Sequence, residues 1–175
     1  MFGLKPVYIY PRKEDGDSVL SVQIRAGDVE EMITEHPGIR AVMIVSPSYD
    51  GVVSDIRAIA EIAHHHEIPL IVDEAHGAHF GFDDYFRNAN RLGADIVIHS
   101  VHKTLPALTQ TALLHMNGTL ADRKRVRHYL HMLQSSSPSY VLMAGIDACV
   151  HLLETRAQEI FYAVCGQSGA AQKKS

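Results

Sequence analysis

Asp95-Ile96-Val97-Ile98-His99-Ser100-Val101-His102-Lys103-Thr104 is the stretch that decides how the rest of the chain is organised. Its first half is apolar and rich in β-branched residues, which is typical of a strand that is buried on both faces. Its second half is polar and carries hydroxyl, imidazole and amine groups. We therefore predict a buried strand that delivers Lys103 just beyond its carboxyl end, where α/β folds place functional side chains.

A second strand end of the same kind lies earlier in the chain, and the two polar residues are 103 − 73 = 30 positions apart. The apolar run Leu70-Ile71-Val72 is followed directly by Asp73-Glu74-Ala75-His76. In an open α/β sheet, the carboxyl ends of neighbouring strands face one crevice. The sequence thus predicts that Asp73 and Lys103 approach the same ligand.

The remaining apolar patterns alternate between the period of strands and the period of helices. Further strands are predicted at Pro6–Tyr10, 41–45 and 111–115. Helices are predicted from Asp28 to His36, after a cap at Ser54 or Asp55, within 82–91, and in two segments that include residues 126–133 and 142–153. This alternation predicts a three-layer α/β/α fold with a mostly parallel sheet. We expect one domain over 1–165, followed by a disordered polar tail over 166–175.

The composition argues against several kinds of partner. The net charge is −4, the pI is near 6.3 and no basic cluster is present, so we expect neither nucleic acid nor an anionic membrane surface to bind. The hydrophobic content of 46% suffices for the core of one domain, and no apolar run reaches the roughly 18 residues of a membrane span. Cys149 and Cys165 form no C-x-x-C motif, which favours a reducing, cytoplasmic location.

Lys103 and Asp73 together are the two groups that a pyridoxal phosphate site needs, one for the aldehyde and one for the ring nitrogen. Each is ambiguous alone, because Asp73 also fits a helix cap or a salt-bridged surface acid, and most lysines are solvated. Ser100 and His102 favour the site, since both lie close to Lys103 in the sequence and we expect them to reach a phosphate group there. Imine formation also requires the unprotonated amine, which a partly desolvated pocket favours.

Two other functions also involve residues 73–79, a metal site and a helicase motif. Asp73, His76 and His79 are potential metal ligands, but two histidines at i, i+3 without a clear third ligand are a weak signal, and we predict no metal site. Residues 73–76 spell DEAH, yet the phosphate loop that a helicase needs is missing upstream. The run His64-His65-His66 ends a predicted helix, where cations suit the helix dipole, and we expect it to be structural.

Four separated motifs occur in the order that one enzyme family shows. They are PSYDGVVSDI from residue 47, VDEAHGAHFG from residue 72, ADIVIHSVHKTLPALTQTALLH from residue 94 and MLQSSSPSY from residue 132. Over Lys5 to Leu153 the chain resembles the Orn/Lys/Arg decarboxylase family, pyridoxal-phosphate enzymes of the aspartate aminotransferase fold, also called fold type I. The resemblance implies a partial cofactor-binding large domain of that fold.

The same resemblance implies a role for each residue of the site. Lys103 and His76 are implied to be catalytic, with Lys103 as the Schiff-base lysine and His76 at the cofactor ring. The other implied cofactor contacts are Asp73 at the pyridine nitrogen, Ala75 at the ring, Ser100 and His102 at the phosphate, and Ser136 and Ser137 across the interface of a homodimer or higher homo-oligomer.

The implied reaction removes CO₂ from a basic amino acid (arginine, lysine or ornithine) and yields the corresponding amine. The resemblance implies a phosphate-binding turn and a ring-stacking residue before the segment Pro6–Tyr10, and a small C-terminal domain, and we expect this chain to carry none of them. We therefore expect impaired activity. Two alternatives stay open, a non-catalytic dimerising fragment or pseudoenzyme, and another fold type I enzyme.

Overall fold

The computed structural model describes residues 3–10, 23–82 and 86–172; residues 83–85 of a predicted helix and 173–175 of the predicted tail lie outside these ranges. None of the described helices is long and apolar enough to cross a membrane. In chain order the described elements are α1 (Ala26–Glu35), β1 (Val42–Val45), α2 (Ile56–His65), β2 (Leu70–Asp73), α3 (Ala89–Leu92), β3 (Ile96–Ser100), α4 (Val101–Thr104), β4 (Ala112–Met116), α5 (Arg123–Leu133) and α6 (Tyr140–Gln172).

The described strands form one sheet in the order β1-β2-β3-β4, so each strand pairs with its neighbour in sequence. The β1–β2 and β2–β3 pairs are parallel, and β4 runs antiparallel to β3. This confirms the predicted α/β fold with a mostly parallel sheet. The register sets Asp73 beside Val45 and Ile98, so the carboxyl ends of the three parallel strands share one edge of the sheet.

Helices α1, α2 and α3 cover one face of the sheet and build the larger hydrophobic core. The buried residues of α2 follow the i, i+3, i+4, i+7 spacing that gives a helix one apolar face. Strands β1 and β2 contribute every second residue, because successive side chains point to opposite faces. The core residues include Ile56, Ile59, Ala60 and Ala63 from α2, Val29 and Ile33 from α1, Ala89 from α3, and Val42, Ile44, Leu70, Val72 and Val97 from the strands.

The opposite face of the sheet is less covered in the described part of the chain. Met43 and Val45, which alternate with the core residues of β1, are 61% and 54% exposed. Helix α5 lies beside Leu114 and Met116 of β4, but none of its own residues is buried. The second helical layer of the three-layer prediction is therefore confined, within the described ranges, to the edge of the sheet at β4.

A smaller hydrophobic cluster joins α6 to the turn that follows β3. Cys149 and Leu153 of α6 are buried together with Val101 of α4, and Leu113 of β4 packs against them. Burial raises the pKa of the Cys149 thiol, which keeps it in the neutral form that suits an apolar cluster. The cluster fixes α4, the element that carries Lys103.

The prediction of a strand at Pro6–Tyr10 is wrong, since the structure has no strand in this segment. Tyr8 and Tyr10 are 65% and 77% exposed, and Ile9 is the residue that packs against the core. Strand propensity describes how well side chains fit a pleated surface beside a partner strand. None of the described strands pairs with this segment, so its apolar composition does not lead to a strand.

Two helix ends differ from those predicted, and a third prediction agrees. The N-cap of α1 is Arg25, while Asp28 lies in the first turn, where a negative charge suits the helix dipole. Helix α6 continues to Gln172 where a disordered tail was predicted from residue 166, and helix extension adds one hydrogen bond per residue. The short helix predicted within 82–91 corresponds to α3, which begins inside that range and ends one residue beyond it, at Leu92.

Candidate functional site

Lys103 lies on α4, a single helical turn that directly follows β3. The backbone N–H of Val101 donates to the Thr111 carbonyl at 3.1 Å, and the Val101 side chain is buried against α6. The Leu105 N–H closes the turn by donating to the Val101 carbonyl at 3.0 Å. These bonds hold the Lys103 backbone at the carboxyl end of β3, which is the position predicted from the sequence.

Lys103 and His76 line the same open cleft, whose volume is about 640 Å³. Lys103 Nζ lies 2.9 Å from His76 Nε2. Because an ammonium group only donates hydrogen bonds, His76 Nε2 accepts and the ring carries its proton on Nδ1. The ring of Tyr49, which also lines the cleft, has its centroid 5.5 Å from that of His76. The structure thus brings together the two residues that were predicted to be catalytic.

Asp73 ends β2, the strand that pairs with both β1 and β3. Its Oδ1 accepts a hydrogen bond from the Ala75 backbone N–H at 3.1 Å, which fixes the start of the turn toward His76. Asp73 and Ala75 are both half-buried. The carboxylate is at the predicted edge of the sheet, although the described lining of the Lys103 cleft does not include it.

His102 and Ser100 lie on either side of the first residue of α4. The Nδ1 of His102 lies 2.9 Å from the Thr111 carbonyl, which can only accept, so His102 carries a proton on Nδ1. A neutral His102 therefore has an unprotonated Nε2, and only its cationic form donates from that atom. Ser100 is the N-cap residue of α4, but its hydroxyl makes no capping bond. The phosphate contacts assigned to both residues stay a prediction.

Ser136 and Ser137 lie in the exposed connection between α5 and α6. This connection is held by its own bonds, since the Ser135 hydroxyl donates to the Ser137 carbonyl at 3.2 Å and accepts from the Ser137 N–H at 3.3 Å. The described lining of the Lys103 cleft includes neither serine. Their contact with the cofactor bound to a second copy stays a prediction.

Sequence reasoning missed a buried chain of hydrogen bonds beside the cleft. Glu74 and His99 are only 2% and 7% exposed. Glu74 accepts from the Ala89 N–H at 3.0 and 3.2 Å and from His99 Nε2 at 2.6 Å, and His99 Nδ1 lies 3.2 Å from His115 Nε2. Burial and then the charge of His99 lower the pKa of His115. The sequence feature that could have indicated this role is the position of Glu74 directly after Asp73, because adjacent side chains of an extended chain face opposite sides.

A second buried acid pairs with a histidine at the other ends of β2 and β3. Asp95 is 2% exposed, and its Oδ2 accepts from the Leu70 N–H at 2.9 Å and from His64 Nε2 at 2.8 Å. This contact ties α2 to the sheet, so it gives His64 the structural role that was expected. Among the described residues, no three His, Cys, Asp or Glu side chains are grouped to hold a metal ion.

These features define an α/β protein whose chemistry-bearing residues meet at the carboxyl ends of parallel strands, and solved structures of similar fold are fold type I pyridoxal-phosphate enzymes. A pyridoxamine-pyruvate aminotransferase from Mesorhizobium loti matches with a TM-score of 0.58 and 19% identity, over 81% of this chain and 40% of that chain. A NifS-like protein from Rickettsia africae matches with a TM-score of 0.61 and 18% identity, over 87% of this chain and 43% of that chain. At such identities the likeness shows the fold alone.

The family model described as Orn/Lys/Arg decarboxylase, major domain, matches residues 1–175, and the chain belongs to this family. An arginine decarboxylase of Bacillus subtilis (strain 168) is 36% identical over 159 residues, which are 90% of this chain and 32% of that protein. The uncharacterized protein YaaO of the same strain is 44% identical over 149 residues, which are 83% of this chain and 30% of that protein. The chain therefore spans about a third of the length of these curated relatives.

Proposed function

We propose that the chain supplies the lysine-bearing part of a pyridoxal-phosphate-dependent decarboxylase that acts on a basic amino acid. The observation that carries this proposal is the 2.9 Å contact between Lys103 Nζ and His76 Nε2 in a cleft at the carboxyl edge of the sheet. A lysine that binds a carbonyl must first lose a proton, and an imidazole acceptor beside its amine is suited to that step.

The donor set at this edge fits pyridoxal phosphate. Lys103 would hold the aldehyde carbon, and Asp73, at the end of the neighbouring strand, would face the protonated ring nitrogen. The small side chain of Ala75 leaves space beside the ring, while Ser100 and His102 supply a hydroxyl and an imidazole for the phosphate. When it is bound, the cofactor stabilises the electron pair that departing CO₂ leaves behind.

His76 has two tasks in this proposal. It holds Lys103 Nζ in place, and its Nε2 is positioned to take a proton from the ammonium group. The cleft wall beside it is aromatic, since Phe80 and Phe86 stack with ring centroids 4.9 Å apart and Tyr49 packs on His76.

The proposed substrate class is supported by the relatives named arginine decarboxylase, which are 33 to 36% identical to this chain. The proposal covers arginine, lysine and ornithine, because the same α-carboxylate departs from each. We place the reaction in the cytoplasm, a location supported by the free and buried thiol of Cys149.

We extend the proposal to a homodimer formed at the connection between α5 and α6. A second copy there would carry Ser136 and Ser137 toward the neighbouring cleft. It would also remove from water the exposed apolar side chains that flank the two serines, which favours association. These side chains, with their exposed fractions, are Met132 (62%), Leu133 (72%), Tyr140 (79%) and Val141 (70%).

Two other functions compete with this proposal. A non-catalytic dimerising module is favoured by the exposed Met43 and Val45 on the open sheet face. It is also favoured by a chain that spans about a third of its relatives' length. A different fold type I reaction is favoured by the likeness to solved structures named as an aminotransferase and as a cystathione gamma lyase.

The test begins with the visible absorbance of the purified chain after addition of pyridoxal phosphate. We expect wild type to show the band of lysine-bound cofactor and Lys103→Ala to lose it. Lys124→Ala, which removes an exposed lysine on α5, is the matched control and should keep the band. Equal spectra from wild type and Lys103→Ala would reject the assignment of Lys103.

Product formation then separates the competing functions. Release of CO₂ from arginine, lysine or ornithine by the cofactor-loaded chain supports the decarboxylase. Cofactor absorbance without CO₂ release from any of the three favours the non-catalytic module. Conversion of an amino acid without loss of CO₂ favours a different fold type I reaction.

A further inference from the structure

Glu74 is a buried carboxylate beside the candidate site, with only 2% of its surface exposed. Such a group costs free energy unless hydrogen bonds replace the water that it loses. Glu74 accepts from the Ala89 N–H at 3.0 and 3.2 Å and from His99 Nε2 at 2.6 Å. Its backbone carbonyl also accepts from the Gly77 N–H at 2.9 Å, so the same residue anchors the turn that contains His76.

His99 extends this chain of bonds to β4. Its Nε2 donates to Glu74, because a carboxylate oxygen only accepts. Its Nδ1 lies 3.2 Å from Nε2 of His115, and the two rings meet edge to face with centroids 4.8 Å apart. The residue after β2, a residue of β3 and a residue of β4 are therefore joined side by side.

The bond between Glu74 and His99 joins the two segments that carry the candidate site. Glu74 precedes His76 by 76 − 74 = 2 residues, and His99 precedes Lys103 by 103 − 99 = 4 residues. Because side chains alternate along an extended chain, Asp73 points to the opposite face of the sheet from Glu74. The pair thus lies behind the groups that would contact a ligand, on the face that the helices cover.

We propose that Glu74 and His99 are positioning residues that fix His76 at hydrogen-bonding distance from Lys103, with His115 holding the ring of His99. Neither positioning residue touches substrate or cofactor in this role. The inference rests on the proposed function only for the catalytic role of the His76–Lys103 pair. The contact itself can be measured in the chain without cofactor.

The chain contains a matched acid–histidine pair with a different placement. Asp95, also 2% exposed, accepts from His64 Nε2 at 2.8 Å and from the Leu70 N–H at 2.9 Å. This pair lies at the amino ends of the strands whose carboxyl ends carry Glu74 and His99. If Glu74 and Asp95 both contributed only to the stability of the fold, replacing either acid would have the same effect on the contact between His76 and Lys103.

The experiment compares the reactivity of Lys103 in variants of the full chain without cofactor. Trinitrobenzenesulfonate labels unprotonated amines, and peptide mass spectrometry reports the rate at Lys103 against the exposed Lys124 as internal reference. The hydrogen bond to His76 engages the Lys103 amine, so its loss leaves Nζ freer to react with the reagent. We expect Glu74→Ala to raise the Lys103 rate about 2- to 10-fold, the range for one lost hydrogen bond. His76→Ala should give the full increase and sets the scale.

Two further variants separate positioning from stability. Glu74→Gln keeps an acceptor for the Ala89 N–H and a polar contact with His99, so it should return the Lys103 rate toward wild type. Asp95→Ala should lower the melting temperature and leave the Lys103 rate unchanged. An unchanged rate in folded Glu74→Ala, or an equal increase in Asp95→Ala, would overturn the proposal.

A milder substitution covers the case in which Glu74→Ala does not fold by circular dichroism. Glu74→Asp keeps the carboxylate but withdraws it from His99 by one methylene, so the rate at Lys103 should rise, and an unchanged rate counts against the proposal. The absorbance test of wild type is independent. If the Lys103 rates change as expected but no cofactor band forms, the positioning role stands and the proposed function fails.

Discussion

At the scale of single residues, Gly77 is required by close packing in the turn after β2. A Cβ atom there would lie 2.7 Å from Glu74 Cγ and 2.8 Å from Pro47 Cδ, and the proline ring has little freedom to move away. We expect Gly77→Ala to lower the free energy of unfolding by about 1 to 3 kcal/mol, the usual range for overpacking. Urea denaturation measures the change. Gly27→Ala in α1, where nothing lies within 4 Å of the added atom, is the control, and equal losses would contradict the packing argument.

His115 makes stability depend on pH. Burial and, secondly, the charge of His99 lower the pKa of His115 below the ordinary histidine value of 6.5. The unfolded chain then binds more protons than the folded one, so this stabilisation is present above pH 6.5 and is lost as the pH falls through the folded pKa.

Denaturation at about pH 7.5 and about pH 5.5 tests this sign. We expect the loss of stability on acidification to be smaller in His115→Gln than in wild type. His65→Gln, at the exposed end of α2, is the control variant. An identical pH dependence in wild type and His115→Gln would show that His115 is not the group responsible.

The sequence was sufficient to locate Asp73 and Lys103, because each follows an apolar run that ends a strand. It was not sufficient for Glu74. Which of two adjacent acids faces the helices depends on the pleat of β2 and on its register with β3, and neither is written in the local pattern. His99 likewise lies in an apolar run, and only the assembled sheet brings its ring within 2.6 Å of Glu74.

At the scale of elements, α2 begins at one of the two caps that the sequence allowed. The structure selects Asp55, whose Oδ1 accepts from the Ala58 N–H at 3.1 Å, while Ser54 is buried. We expect Asp55→Ala to lower the free energy of unfolding by about 0.5 to 2 kcal/mol, the cost of a lost N-cap. Thermal denaturation measures it against Glu61→Ala on the exposed side of the same helix. A loss no larger than that of the control would remove the capping role.

The parallel strands could be predicted from the sequence, because strands buried on both faces are continuous apolar runs. The same composition failed at Pro6–Tyr10, where a partner strand is also needed and the described strands do not provide one. The one-turn helix α4 was not predicted either. It depends on the Thr111 carbonyl, which accepts from the Val101 N–H and from His102 across the gap between β3 and β4.

At the scale of the whole molecule, the sheet has one face packed by helices and one face that is partly open within the described ranges. Val42 and Val45 belong to the same strand, yet they are 6% and 54% exposed. Changing valine to threonine replaces one methyl group with a hydroxyl at nearly constant side-chain volume. We expect Val42→Thr to cost about 1 to 3 kcal/mol for the buried hydroxyl, and Val45→Thr about 0.5 kcal/mol or less. Equal costs by chemical denaturation would mean that the second face is also buried in solution.

The connection between α5 and α6 is the surface on which the proposed homodimer depends. Leu133 and Tyr140, on either side of the two serines, are 72% and 79% exposed. If a second copy covers them, a charge at Leu133 and the loss of the Tyr140 ring must weaken association, since anchors of this kind contribute about 2 kcal/mol or more each. The double variant Leu133→Glu, Tyr140→Ser should therefore be monomeric at concentrations where wild type is dimeric, as measured by light scattering.

Met43→Glu, on the separate open sheet face, should stay dimeric. A wild type that is monomeric throughout, or a double variant that dimerises normally, would move the interface away from this connection and leave Ser136 and Ser137 without a second cleft to reach.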